Sequence, residues 1–116
     1  MSSNGFVEIH DAESLNSFLE RSSEAPVIIF KHSNSCGVSA QAYREMAKLS
    51  GPVGMITVQK AREISTEIER RFGLEHETPQ VLIVRGGDLV WNASHGQVRV
   101  DAVEAALGAA TAGSKQ

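Results

Sequence analysis

The sequence predicts one α/β domain: a central mixed sheet, mainly parallel with an antiparallel hairpin, flanked by helices on both faces. Three observations predict it. Val27-Ile28-Ile29-Phe30 and Met55-Ile56-Thr57-Val58 are continuous β-branched and aromatic runs, the character of strands buried on both faces. The stretches between and after them space their apolar residues as helices do, an alternation that makes βαβ crossovers and so parallel strands. Val81-Leu82-Ile83-Val84 and Leu89-Val90-Trp91 flank Arg85-Gly86-Gly87-Asp88, a glycine-bearing turn that reads as the hairpin.

The elements follow in order. After a short apolar lead (Phe6, Val7, Ile9), Asp11 is placed to cap a helix whose buried stripe is Leu15, Phe18 and Leu19. Pro26 introduces the first buried strand. From Gly37 to Leu49 the apolar positions Val38, Ala42, Met46 and Leu49 recur at helical intervals, and Ser50-Gly51-Pro52 supplies the stop. The strand from Met55 to Val58 is followed by a helix over Ala61 to Phe72, with Ile64, Ile68 and Phe72 on one face and Gly73 suited to a left-handed C-terminal cap. The last helix is expected from about Ala102, with Asp101 and Glu104 at capping-box spacing and Val100 and Ala105 placed for a hydrophobic staple. The apolar pattern fades after Gly108, so the ordered core is expected over 6–108 and a flexible tail over 109–116. The order β-α-β-α-β-α-β-β-α is the layout of a thioredoxin-like domain.

Composition narrows the function classes. With 116 residues, 41% of them hydrophobic, the chain has material for one core without metal or disulfide staples. A net charge of -3 argues against nucleic acid or an anionic membrane as partner, leaving small molecules or proteins. Met1-Ser2-Ser3-Asn4-Gly5 has no signal-peptide character, and no apolar run approaches the ~18 residues of a membrane span, so a cytoplasmic protein is expected; separately, a monomer is expected. A single cysteine cannot form an internal disulfide, and a reducing compartment would keep it available for exchange with other thiols.

That cysteine, Cys36, lies in Phe30-Lys31-His32-Ser33-Asn34-Ser35-Cys36-Gly37-Val38-Ser39, where a strand-like run gives way to a helix-like pattern. The first N–H groups of a helix lack intrahelical partners and carry partial positive charge, which favours a thiolate. Its polar neighbours argue against the usual reading of a lone cysteine as a small buried hydrophobe. Ser39, one helical turn on, can donate a hydrogen bond to the sulfur but cannot close a disulfide with it, so a mixed disulfide on Cys36 must wait for an external thiol. Lys31 and His32 end the strand before the thiol; they either lower its pKa or are simply solvated. Thr78-Pro79 directly precedes a strand, and in the thioredoxin-like layout that proline is cis beside the active cysteine, leaving the preceding backbone free to pair with substrate. His76 and His95 match no zinc spacing with Cys36, so no metal is expected. Glu75-His76-Glu77 reads equally well as a solvated loop, and Trp91 as a hairpin packing residue.

Three separated motifs resemble one family. Phe30-Lys31-His32-Ser33 with Cys36-x-x-Ser39, Ala42 and Glu45 is similar to the active-site segment of the YtxJ-like proteins, the monothiol bacilliredoxins of the bacillithiol system. His76-Glu77-Thr78-Pro79-Gln80 resembles their His-Glu-Ser-Pro-Gln segment, and Trp91-x-x-Ser94-His95 their Trp-x-x-Ser-His segment. The resemblance implies that Cys36, assisted by Ser39, attacks protein–bacillithiol mixed disulfides and takes the bacillithiol onto itself, releasing the client thiol. It implies Lys31, His32, Gly37, Thr78 and Pro79 as the substrate-binding set, bacillithiol as co-substrate with no bound cofactor, and bacillithiolated proteins as partners.

The sequence departs from that family inside the motif. Cys36-Gly37-Val38-Ser39 stands where the family usually has Cys-Pro-Ile-Ser, and Thr78 replaces a serine. Glycine adds an N–H donor that proline lacks and loosens the turn. The change moves the motif toward the Cys-Gly-Phe-Ser of monothiol glutaredoxins, which bridge a [2Fe-2S] cluster with glutathione; that cluster-carrier reading is the alternative. Asn92-Ala93-Ser94-His95-Gly96 stands where those proteins grip glutathione with a Gly-Gly-Cys/Ser-Asp segment. A third reading is a binding module that kept the fold and lost the chemistry.

Overall fold

The computed structural model describes residues 5–34 and 37–113. Its elements are β1 (Gly5–Glu8), α1 (Ala12–Glu20), β2 (Val27–His32), α2 (Gly37–Met46), β3 (Pro52–Thr57), α3 (Arg62–Phe72), β4 (Gln80–Arg85), β5 (Asp88–Ser94) and α4 (Val100–Gly113). The five strands form one sheet in the order β1-β3-β2-β4-β5. β3 runs parallel to both β1 and β2, while β4 is antiparallel to β2 and β5. The expected mixed sheet is therefore present, with β2, the strand that leads to the cysteine, at its centre, but antiparallel pairing is not confined to the β4–β5 hairpin as expected: it extends to β2–β4.

Alternation along β2 splits the interior into two layers. Ile29, Ile56, Leu82 and Val84 pack with Leu15 and Phe18 of α1 and Ile64 and Ile68 of α3. Ile28, Phe30, Val81 and Ile83 face Ala42 and Met46 of α2 and Val103 of α4. One position of β3 has to be glycine: a Cβ on Gly54 would stand 2.6 Å from Ile9 Cδ1 and 2.7 Å from Phe18 Cε2. The missing side chain lets α1 lie flat on the sheet.

Local signals act as expected in α1, where Asp11 and Ser14 form a reciprocal capping box, and in α3, which ends at Gly73 with φ 65°. Gly86 and Gly87 carry φ 61° and 83° in the hairpin turn. Their N–H groups donate to the carbonyl and hydroxyl of buried Ser22, which ties the hairpin to the end of α1.

Two elements depart from expectation. β3 begins at Pro52 rather than Met55, because its first residues pair with the edge strand β1, a partner the local apolar run cannot reveal. α4 begins at Val100 and continues past Gly108 to Gly113. The expected Asp101–Glu104 capping box is absent: the Asp101 carboxylate accepts from Ala102 N–H, while Val100 N–H donates to Glu45 Oε1 of α2 at 2.8 Å. Ala106, Leu107 and Ala110 pack on the second core layer and carry the helix onward.

Candidate functional site

The carboxyl end of β2, the amino end of α2 and the loop before β4 converge at one end of the sheet. Ser35 and Cys36 lie outside the described residues, so the site is built from what brackets them. Gly37, next in the chain, is the exposed first residue of α2. Ser39 on that helix is fully buried. Its Oγ accepts from Ser33 N–H at 2.9 Å and lies 3.0 Å from His32 Nδ1. The hydroxyl thus anchors the loop from β2 on the first turn of α2. Where His32 carries its proton on Nε2, Ser39 donates to Nδ1; where the proton is on Nδ1, the ring donates and the hydroxyl proton is free for another acceptor. Burial pushes the His32 pKa down, favouring the neutral ring in which this choice exists. The imidazole packs against Phe30 and Tyr43, with centroids 5.5 and 5.2 Å away.

A second brace comes from the turn after β3. Gln59 Nε2 donates to Ser33 Oγ at 2.8 Å, and Asn34 N–H donates to Gln59 Oε1 at 3.2 Å. Gln59 is a site residue that local sequence reading missed. Its signal is long-range, since only the β2–β3 register brings it beside Ser33.

Lys31 is fully buried, directly opposite Gln80 across the β2–β4 ladder. The solvated reading of Lys31 is thereby corrected, and its ammonium reaches a substrate only through its field. Lys31 Nζ and Gln80 Oε1 are buried and make no hydrogen bond among the described residues. Burial pushes the Lys31 pKa down to about 8, opposed by the negative charges of Glu69 and Glu77.

The Thr78-Pro79 peptide is cis, as the layout implied, with Thr78 half-buried and Pro79 buried. Two of the sequence motifs meet here. His95, with φ 56°, donates its N–H to Pro79 O at 2.8 Å and places Nε2 2.6 Å from Glu77 Oε1. His76 turns the other way, its Nδ1 3.1 Å from Ser65 Oγ on α3. The two histidines therefore serve different elements, and no group of three or more metal-ligating side chains gathers among the described residues. Trp91 packs against the second core layer, as expected of a hairpin residue.

Comparison with known proteins decides the family. The model of the monothiol bacilliredoxin BrxC family matches residues 7–103. The chain belongs to this family. Among solved structures it is similar to an oxidoreductase with a thioredoxin fold, at 26% identity and a TM-score of 0.82, covering 88% of this chain and 93% of that one. A mutant thioredoxin from Halobacterium salinarum and a thioredoxin from Trypanosoma brucei brucei share the fold at 15% and 14% identity. Their TM-scores are 0.71 and 0.73, over 96% and 92% of this chain and 95% and 91% of theirs. The bacilliredoxin family and the oxidoreductase neighbour support a thiol redox function in general. Within this bacilliredoxin frame, the structure brings Lys31, His32, Gly37, Ser39, Thr78 and Pro79 to one end of the sheet and adds Gln59, Gln80, Glu77 and His95 around them. No helix among the described residues is long and apolar enough to cross a membrane.

Proposed function

We propose that the protein removes bacillithiol from protein mixed disulfides by monothiol exchange at Cys36, in the cytoplasm and without a bound cofactor. The Cys36 thiolate attacks the bacillithiol sulfur of a client–S–S–bacillithiol. The client sulfur leaves as a thiolate and takes up a proton, and a Cys36–S–S–bacillithiol disulfide forms. A second, external thiolate then attacks the bacillithiol sulfur, carries it away as a new mixed disulfide and returns Cys36 to the thiolate.

The observation that carries the reading is Ser39. It occupies the position three residues after Cys36, where a two-cysteine redox site has its resolving thiol, and it is buried and bonded to the backbone of Ser33. The site is thus built around one sulfur. Exposed Val38, at 46% accessibility, gives the same helix end an apolar contact for a client chain. At the same end of the sheet, half-buried Thr78 before cis-Pro79 is the backbone that the thioredoxin-like layout offers to an extended substrate.

The test is release of client thiol from a bacillithiolated protein by the wild type and by Cys36→Ser. The reading expects loss of release with an unchanged thermal transition. Full activity in C36S would overturn it, and equal preference for a glutathionylated client would replace bacillithiol by a broader thiol class.

A further inference from the structure

A cleft of about 370 Å³ opens beside the active-site loop, on the α3 side of the sheet, and nothing in the exchange chemistry accounts for it. Its floor and rim come from Val58 and Gln59 after β3, from Arg62, Ser65, Thr66 and Glu69 on one face of α3, and from His76. The helical residues are spaced three, four and seven apart, so they form one continuous stripe. The volume lies in the range of small-molecule sites.

We infer that this cleft binds the anionic, hydroxyl-bearing portion of the low-molecular-weight thiol, with Arg62 as its charge anchor and Gln59 as the link to the reacting loop. Four observations carry the assignment. Gln59 lines the cleft and at the same time bonds Ser33 and Asn34, so a ligand seated here touches the residue that holds the loop leading to Cys36. Arg62 is exposed and makes no ion pair or hydrogen bond among the described residues, whereas Arg70 and Arg71 farther along the helix are both engaged by Glu67. The remaining wall is polar: Thr66 is exposed and Ser65 is bonded to His76, a lining suited to hydroxyl groups. Behind it, the buried Lys31 ammonium, which has no hydrogen-bond partner among the described residues, lies within electrostatic reach of His76 and Glu69, two lining residues, and adds positive potential on the sheet side. Glu69 is the opposing charge; it sits two helical turns from Arg62, so an anion is favoured at the Arg62 end nearest the loop.

The inference takes the identity of the ligand from the thiol-exchange reading, but its test does not need exchange to occur. S-methyl bacillithiol, whose blocked sulfur cannot react, is titrated into the reduced ¹⁵N-labelled protein at neutral pH, and amide shifts are followed. Saturable shifts at Gln59, Arg62, Ser65 and Thr66 are expected. In Arg62→Glu the affinity should fall at least about tenfold, the scale of a lost charge-assisted contact, with an intermediate loss in Arg62→Gln. Shifts confined to Gly37, Val38 and Thr78, or equal affinity in wild type and R62E, would overturn the cleft assignment and leave Cys36 chemistry untouched. Failure of the exchange reading would show instead in the client-release assay.

Discussion

Lys31 is the residue whose environment departs most from its chemistry. An ammonium is held inside the sheet without a hydrogen-bonded partner among the described residues, and its folded pKa of about 8 lies below the ordinary value of 10.5. Below about pH 8 the folded protein carries the cost of the buried charge. Between pH 8 and 10.5 the folded form gives up its proton while the unfolded chain keeps it, so stability gains from Lys31 as pH rises through that window. Lys31→Met should raise unfolding stability at pH 7 by roughly 1 to 3 kcal/mol, with the gain shrinking toward pH 10.5 in urea titrations. A variant less stable than wild type at pH 7 would contradict the account. Ser39→Ala should remove the buried hydroxyl that accepts from Ser33 N–H and cost about 1 to 3 kcal/mol of stability while slowing exchange only modestly; unfolding curves and single-turnover exchange measure the two separately. The sequence places both residues correctly on their elements. It leaves Lys31 open between two roles because burial at a strand end depends on what the neighbouring strands bring, here Gln80, and register is not a local property.

At the scale of elements, capping and shape are set by residues distant in sequence. Gly54 is required by α1: the Cβ of Gly54→Ala would meet Phe18 and Ile9 well inside contact distance, and α1 would have to lift. We expect a loss of about 1 to 3 kcal/mol, measured by chemical denaturation, against a near-neutral effect for alanine at exposed Gly96, which has open space around it. α4 begins where Glu45 supplies a carboxylate to Val100 N–H, a bond that also holds the Glu45 pKa below its ordinary range. Glu45→Ala should speed amide exchange over the first turn of α4 without affecting α3. Unchanged protection at Val103 would show that packing alone sets the helix start. The periodic core positions and the turn glycines are legible in the sequence because they act within a few residues. The start of β3 and both ends of α4 are not, since β1, Glu45 and the second core layer decide them.

Over the whole molecule, the order of elements and the central place of β2 follow from hydrophobic runs and crossover rules, which is why the fold class is legible in the amino-acid sequence. The three motifs are legible as separate segments too, but their meeting is a property of the sheet. Pairing of Gln80 with Ser94 brings the Thr78–Pro79 loop to His95, whose imidazole reaches Glu77 across that junction. His95→Ala should loosen this loop and raise KM for client proteins more than it lowers kcat, as steady-state exchange with a bacillithiolated client would show; a pure kcat loss would place His95 in the chemistry itself. The chemistry proposed for this end of the sheet is exchange through a single sulfur. The most direct measurement is the intact mass of the reduced protein after brief incubation, in parallel, with bacillithiol-modified and glutathione-modified clients. Monothiol exchange predicts one bacillithiol adduct, located on Cys36, with release of an equal amount of client thiol. Preferential uptake of glutathione, or no adduct from either client, would contradict it.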